Sequence, residues 1–188
     1  METLDAMLQR RSIRKFRPEP IPASYLKQII EISRLYPSGG NLQPIRFAVI
    51  TRKDLLDGVF ADLKWAMYLP EYTIAETERP TAYIILLRDD TIRKSCDYDV
   101  GAASTMVMLA AANFGLASCP IANFSKNKLS DMLALPASLQ PELVLALGYP
   151  AQESRVAPMG DSIRYWQDAQ GNFCVPKWSA EEITTFFE

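Results

Sequence analysis

The sequence predicts an α+β fold in a single domain spanning residues 1–188, on three observations. Four short runs have the composition of strands: IRFAVIT, TAYIILLRD, ASCPI and PELVLALGYP. The stretches between them place apolar residues at helical spacing, so that helices dominate. The length of 188 residues, with 48% hydrophobic and 22% charged residues, suits one substantial core and neither disorder nor a fibrous repeat.

In chain order, Glu2 to Arg10 sets Leu4, Met7 and Leu8 at helical spacing, and the prolines of PEPIP close the basic extended stretch that follows. PASYLKQIIEISRLY opens on a proline at a helix N-terminus and puts Leu26, Ile29 and Ile30 on one face. PSGGNLQP is a loop of residues that tolerate left-handed geometry and leave backbone N–H groups open. IRFAVIT follows as a strand and Lys53 to Leu63 as a helix. WAMYLPEYTIAETERP has little periodicity, and marks 63–80 as an excursion, small helical insert or lid.

TAYIILLRD is a nearly continuous apolar run, as expected of a strand covered on both faces. Asp97 and Asp99 precede VGAASTMVMLAAANFG, a helix with an acidic N-terminus and Gly115 at its end, whose small residues reach almost all the way round and predict burial. ASCPI is a strand, SKNKLSDMLAL a helix and PELVLALGYP a strand. A long irregular tail and a short helix from Ser179 to Phe187 complete the chain.

Composition excludes much chemistry. With no histidine there is no Ser-His or Cys-His nucleophile pair and no histidine metal site. Cys96, Cys119 and Cys174 form an odd, widely spaced set that is neither a disulfide framework nor a zinc motif, so no metal is expected. A formal net charge of -2 argues against a nucleic-acid binder. The most apolar helix carries Ser104, Thr105 and Asn113 and falls short of the roughly 20 apolar residues of a membrane span. No apolar segment followed by a small-residue cleavage site opens the chain, so a cytoplasmic protein is expected. An enzyme of this composition needs a bound cofactor for its reactivity.

One cluster breaks the even charge distribution: LQRRSIRKF, residues 8–16. A short basic cluster is compatible with a solvated face. It is equally compatible with an anion site, because Arg10 and Arg11 at a helix end, Ser12 beside them and Arg14 two residues on supply several donors to one phosphate. No GxxxxGK[ST] and no GxGxxG after a strand is present, which removes ATP kinases and ordinary dinucleotide-binding dehydrogenases.

RRSIRKF, PSGGNLQPIRF, DYDVGAASTMVMLAAANFGLASCPI and LGYP occur here in the order and spacing of the nitroreductase family, and the resemblance covers nearly the whole chain. It implies an α/β/α sandwich with a central, mainly antiparallel sheet, homodimeric, with FMN at the subunit interface. It also implies NAD(P)H as co-substrate and ping-pong hydride transfer to nitroaromatic, quinone or related small acceptors.

By the same resemblance Arg10, Arg11 and Ser12 hold the FMN phosphate, and Arg14 faces the pyrimidine edge and tunes the reduced flavin. Pro37, Ser38, Gly39, Asn41 and Gln43 reach the flavin of the partner subunit, although read alone this loop is an ordinary helix-to-strand turn. Pro120, Ile121, Ala122 and Asn123 lie against the flavin, with Ala122 and Asn123 standing where an acidic residue and a glycine often occur. Lys177 approaches the phosphate, and Trp178 replaces a frequent arginine. Trp65 and Tyr68 either line the substrate mouth or pack on the body of the domain. Cys119, a lone thiol, receives no catalytic role. Other members of the superfamily, dehalogenase-like or flavin-fragmenting, share these motifs, as does a non-catalytic flavin carrier or regulator.

Overall fold

The computed structural model describes residues 2–187. Its centre is the apolar run singled out above. Strand β2 (Ala82–Asp89) lies between β1 (Ile45–Ile50) and β4 (Leu139–Gly148), and β3 (Ala117–Ile121) completes an antiparallel sheet of order β1-β2-β4-β3. Alternation along β2 sends Ala82, Ile84 and Leu86 to one face and Tyr83, Ile85 and Leu87 to the other, none of them more than 3% exposed.

Helices cover both faces. Leu26 and Ile29 of α2 (Ala23–Ser33) and Ala103 and Val107 of α4 (Asp97–Asn113) pack on the first. Val59 of α3 (Lys53–Asp62) and Leu129 of α5 (Lys126–Met132) pack on the second, together with Ile13 and Phe16 from the N-terminal basic stretch. The result is an α/β/α sandwich around one antiparallel sheet.

Several expectations need correction. Asp97 and Asp99 lie inside the first turn of α4 and not before it. That helix is not buried all round: Tyr98, Gly101 and Thr105 form an exposed stripe. Helix α1 (Thr3–Gln9) buries only Ala6, while Leu4 is 71% and Leu8 68% exposed, so its apolar stripe faces away from the core of its own chain. Helix α5 ends at Met132, before the predicted Leu135.

The largest correction concerns the tail, which is not irregular. Strands β5 (Ser154–Pro158), β6 (Trp166–Gln167) and β7 (Phe173–Lys177) form a second sheet of order β5-β7-β6, with β5 and β7 parallel. These strands are short, mixed in polarity and broken by Pro158 and Pro176, so no period-2 signal survives in the sequence. Helix α6 (Ala180–Ile183) is capped by Ser179 and stops well short of Phe187. The end of α4 matches expectation: Gly115 takes φ 71°, and Leu116 N–H donates to the Ala111 carbonyl across it at 3.1 Å. Among the described residues no helix is long and apolar enough to cross a membrane, and no cluster of acidic or cysteine side chains is arranged to hold a metal ion.

Candidate functional site

The basic stretch is held as an extended strap. Ile13 N–H donates to the Ser118 carbonyl at 3.0 Å, Arg17 N–H to the Tyr149 carbonyl at 2.8 Å, and Ala151 N–H to the Lys15 carbonyl at 3.0 Å. Residues 12–17 thus run between the start of β3 and the turn after β4. Ile13 and Phe16 point inward and are buried, which leaves Arg10, Arg11 and Arg14 half-buried along the other side.

Arg10 and Arg11 line a cleft of about 670 Å³ together with Ser118, Gln152, Ser154 and Arg155. Among the described residues no carboxylate pairs with Arg10 or Arg11; Arg11 donates to the Arg10 carbonyl at 2.8 Å, and Arg10 reaches only the Met108 sulfur at 4.0 Å. Burial, and after it the neighbouring Arg11 charge, hold the Arg10 guanidinium below the ordinary arginine range. Arg155 is partly committed, to Asp168 at 3.2 Å and to the Cys174 sulfur at 3.3 Å.

Three polar atoms of residues lining this cleft are buried without a hydrogen-bond partner among the described residues: Ser118 Oγ, Gln152 Nε2 and Ser154 Oγ. Gln152 shows why. Its Oε1 accepts from the N–H groups of Arg14 (3.0 Å) and Lys15 (2.7 Å) and from the Tyr72 hydroxyl (3.1 Å), which turns its amide nitrogen away. A buried donor left without an acceptor costs about 1–3 kcal/mol. Two guanidiniums without counter-charge and unpaired donors around one cavity together suit a phosphate-bearing ligand.

The structure puts Arg14 in unexpected company. Its guanidinium lies against a contacting pair of rings, Tyr165 and Phe173, 4.9 and 4.6 Å from their centroids. Tyr68 tilts against Tyr165 and Tyr72 against Phe173, so the 63–80 segment and the small sheet meet over this arginine. The 63–80 segment is tied down further: Lys64 N–H donates to the Asn123 carbonyl at 3.0 Å, and Glu78 meets Lys15 Nζ at 2.8 Å. Trp65 packs on Phe60 against the α3 side of the core.

Other predicted positions lie apart from the cleft. None of Pro37, Ser38, Gly39, Asn41 and Gln43 lines it; their loop joins α2 to β1 and is pinned to α4 through Ser38 and Asp99. Pro120 and Ile121 end β3, and Ala122 and Asn123 follow it exposed, about 13 Å beyond Ser118 at 3.3 Å per residue. Lys177 ends β7 exposed. Trp178 is 53% exposed, so it does not anchor the tail within its own chain. Burial pushes the Cys119 thiol up against the pull of the Arg14 charge, which suits an inert core residue.

Arg155, Ser118, Gln152 and Ser154 were not singled out by the sequence. Three of them follow LGYP directly, in a segment that reads as irregular, and nothing local shows that it returns beside RRS.

Comparison with known proteins bears on the same motifs. A sequence model of the nitroreductase family matches residues 7–149. The chain is 28% identical to the NADH dehydrogenase of Thermus thermophilus, over 81% of this chain and 89% of that protein. It is 27% identical to an FMN reductase (NAD(P)H) of Bacillus subtilis, over 84% of this chain and 69% of that one. A protein of Desulfovibrio desulfuricans, described as a nitroreductase in complex with FMN, superposes with a TM-score of 0.66 at 29% identity, covering 81% of this chain and 88% of its own. The match runs from the arginine strap through the sheet and α4 to the turn after β4, and the chain therefore belongs to the nitroreductase family.

Proposed function

We propose that this protein is an FMN-dependent NAD(P)H oxidoreductase that reduces nitroaromatic, quinone or related small acceptors in two half-reactions, as a cytoplasmic homodimer with FMN at the subunit interface. The observation that carries the reading is the cleft beside the strap, where, among the described residues, Arg10 and Arg11 have no carboxylate partner and three buried polar atoms have no hydrogen-bond partner. The donor set fits a flavin phosphate. Bound FMN supplies reversible hydride exchange, which no amino-acid side chain performs.

The protein's own contribution is then binding and electrostatics. Arg10 and Arg11 take the phosphate from the cleft they share with Ser118, Ser154 and Arg155, and Ser12, next to that lining in the chain, adds its hydroxyl. Arg14 holds a fixed positive charge for the ring system, and Pro120 to Asn123 offer backbone along the strand end. Ala122 and Asn123 remove a negative charge frequent in the family, which leaves the acceptor side less acidic. Tyr68 of the 63–80 segment flanks the entrance, which that segment covers as a lid, while Trp65 packs on the core.

The dimer is supported by apolar surface that the chain leaves uncovered: Leu4 and Leu8 on α1, Tyr98 on α4, and Phe186 and Phe187. A second chain also brings the Pro37–Gln43 loop to a cleft that it does not line within its own.

The test is the absorption spectrum of protein purified without added flavin, then chromatography of what acid releases, then anaerobic addition of NADH or NADPH. We expect FMN whose visible band bleaches with nicotinamide. A colourless protein that takes up no FMN overturns the reading, and bound FMN that nicotinamide leaves oxidised points to a carrier. Arg11→Ala should weaken FMN binding by about tenfold or more, the 1.5–3 kcal/mol of a charge-assisted hydrogen bond, in a fluorescence-quenching titration.

A further inference from the structure

The loop between α2 and β1 is contorted where it is displayed and tied where it is hidden. Gly40, Asn41 and Gln43 take φ of 60°, 54° and 51°. Glycine adopts this region freely, whereas Asn41 and Gln43 adopt it only if surrounding bonds hold them there.

Those bonds form a chain that ends in α4. Gln43 N–H donates to Ser38 Oγ at 2.9 Å, and the Ser38 hydroxyl donates to Asp99 Oδ1 at 2.5 Å. A hydroxyl has one proton, so giving it to Asp99 leaves the lone pairs of Ser38 to receive Gln43. Asp99 is 3% exposed, a rare burial for a carboxylate, and Arg93 is the cation nearest it, at 4.0 Å. An acidic side chain in a helix's first turn commonly serves the helix terminus. Here it is turned to the loop, and the N-cap position, Cys96, receives no side-chain bond.

At the far end of the chain, Gln43 Nε2 donates to the side-chain oxygen of Asn41 at 3.0 Å and to its carbonyl at 3.2 Å. With the amides assigned by this network, Asn41 keeps its NH₂ and Gln43 its carbonyl oxygen for an outside partner, a donor beside an acceptor. Such a pair suits the imide edge of a flavin.

We propose that Asp99 is a positioning residue for flavin binding: through Ser38 it fixes the left-handed loop that presents Asn41 and Gln43, although Asp99 itself lies beneath that surface. The proposal rests on the reading above, that this loop meets bound FMN. Loss of the Asp99 acceptor frees Ser38, then Gln43, and the presented pair loses its alignment.

The test compares full-length Asp99→Ala, Asp99→Asn and Ser38→Ala in two measurements, hydrogen exchange at the Gln43 amide and FMN dissociation by flavin fluorescence. In Asp99→Ala we expect exchange and the FMN Kd each to rise about tenfold, the scale of a lost hydrogen bond to a charged group. Asp99→Asn, which keeps an acceptor oxygen, should recover most of that affinity. Ser38→Ala, at a half-buried surface position, should reproduce the faster exchange and keeps the test standing if Asp99→Ala does not fold. Faster exchange with unchanged FMN affinity overturns the contact between loop and flavin, while unchanged exchange overturns the role of Asp99 itself. Equal losses in the Ala and Asn variants also overturn it, by reducing Asp99 to packing.

Discussion

Arg14→Ala is expected to lower the two-electron potential of bound FMN by tens of millivolts while changing FMN affinity less than threefold. A positive charge favours whichever state of the cofactor has gained electrons. At a separation of about 4 Å and an effective dielectric near 20, two unit charges interact by about 4 kcal/mol, which corresponds to roughly 90 mV for a two-electron couple. Solvent screening at a half-buried site reduces this, and about half is a reasonable expectation.

The contact of Arg14 with both Tyr165 and Phe173 sharpens the prediction. A planar guanidinium can lie on both rings and an ammonium cannot match that contact, so Arg14→Lys should restore only part of the shift. Removing one ring, in Tyr165→Leu, keeps the charge but frees it to move, and should give a smaller fall in potential. Spectroelectrochemical titration of the holoenzyme checks all three, and an unchanged potential in Arg14→Ala removes this residue from flavin tuning. The contrast with Arg11→Ala, which should lose affinity and keep its potential, separates phosphate binding from electrostatic tuning.

The largest effect on stability is expected where strap and sheet meet. A Cβ added at Gly148 would stand 2.8 Å from Cβ and Cδ1 of Phe16, a fully buried side chain with no room to withdraw. Gly148→Ala should therefore destabilise by about 1–3 kcal/mol, a fall in Tm of roughly 3–10 °C for a chain of this size. Phe16→Ala should cost about 3–5 kcal/mol by the cavity it leaves. The two are in contact and should not add: in the double variant the new methyl fills part of the space that the ring has left. Additive losses by thermal denaturation would show that Gly148 is required for some other reason. Because Phe16 anchors the strap that carries Arg10 to Arg14, both variants should also retain FMN less well than their melting temperatures alone suggest.

Much of this architecture was legible before folding. The apolar run at 82–87 announced a strand buried on both faces, because a residue that meets helices on either side has no polar positions to show. Gly115 announced the end of α4, since only glycine takes its φ of 71° without strain. Arg10, Arg11 and Ser12 marked a candidate anion site by the donors they bring together, and the folded chain sets both arginines on one cleft.

The tail was illegible for a physical reason. Strands β5 and β7 pair in parallel across an intervening stretch of chain, and their register, Ser154 with Phe173 through Pro158 with Lys177, comes from partners distant in sequence. Nothing within either segment encodes it. The same long-range closure brings Gln152, Ser154 and Arg155 to the cleft that Arg10 lines and sets Tyr165 and Phe173 against Arg14.

Local chemistry thus sufficed for the elements that depend on their own periodicity, caps and breakers, and for the family to which the chain belongs. Only the folded chain decides which charges lack partners, which rings Arg14 packs on, and that Asp99, in sequence an ordinary first-turn acid, holds a loop 61 residues away. Those are contacts between distant segments, and their energies exist only after the sheet has closed.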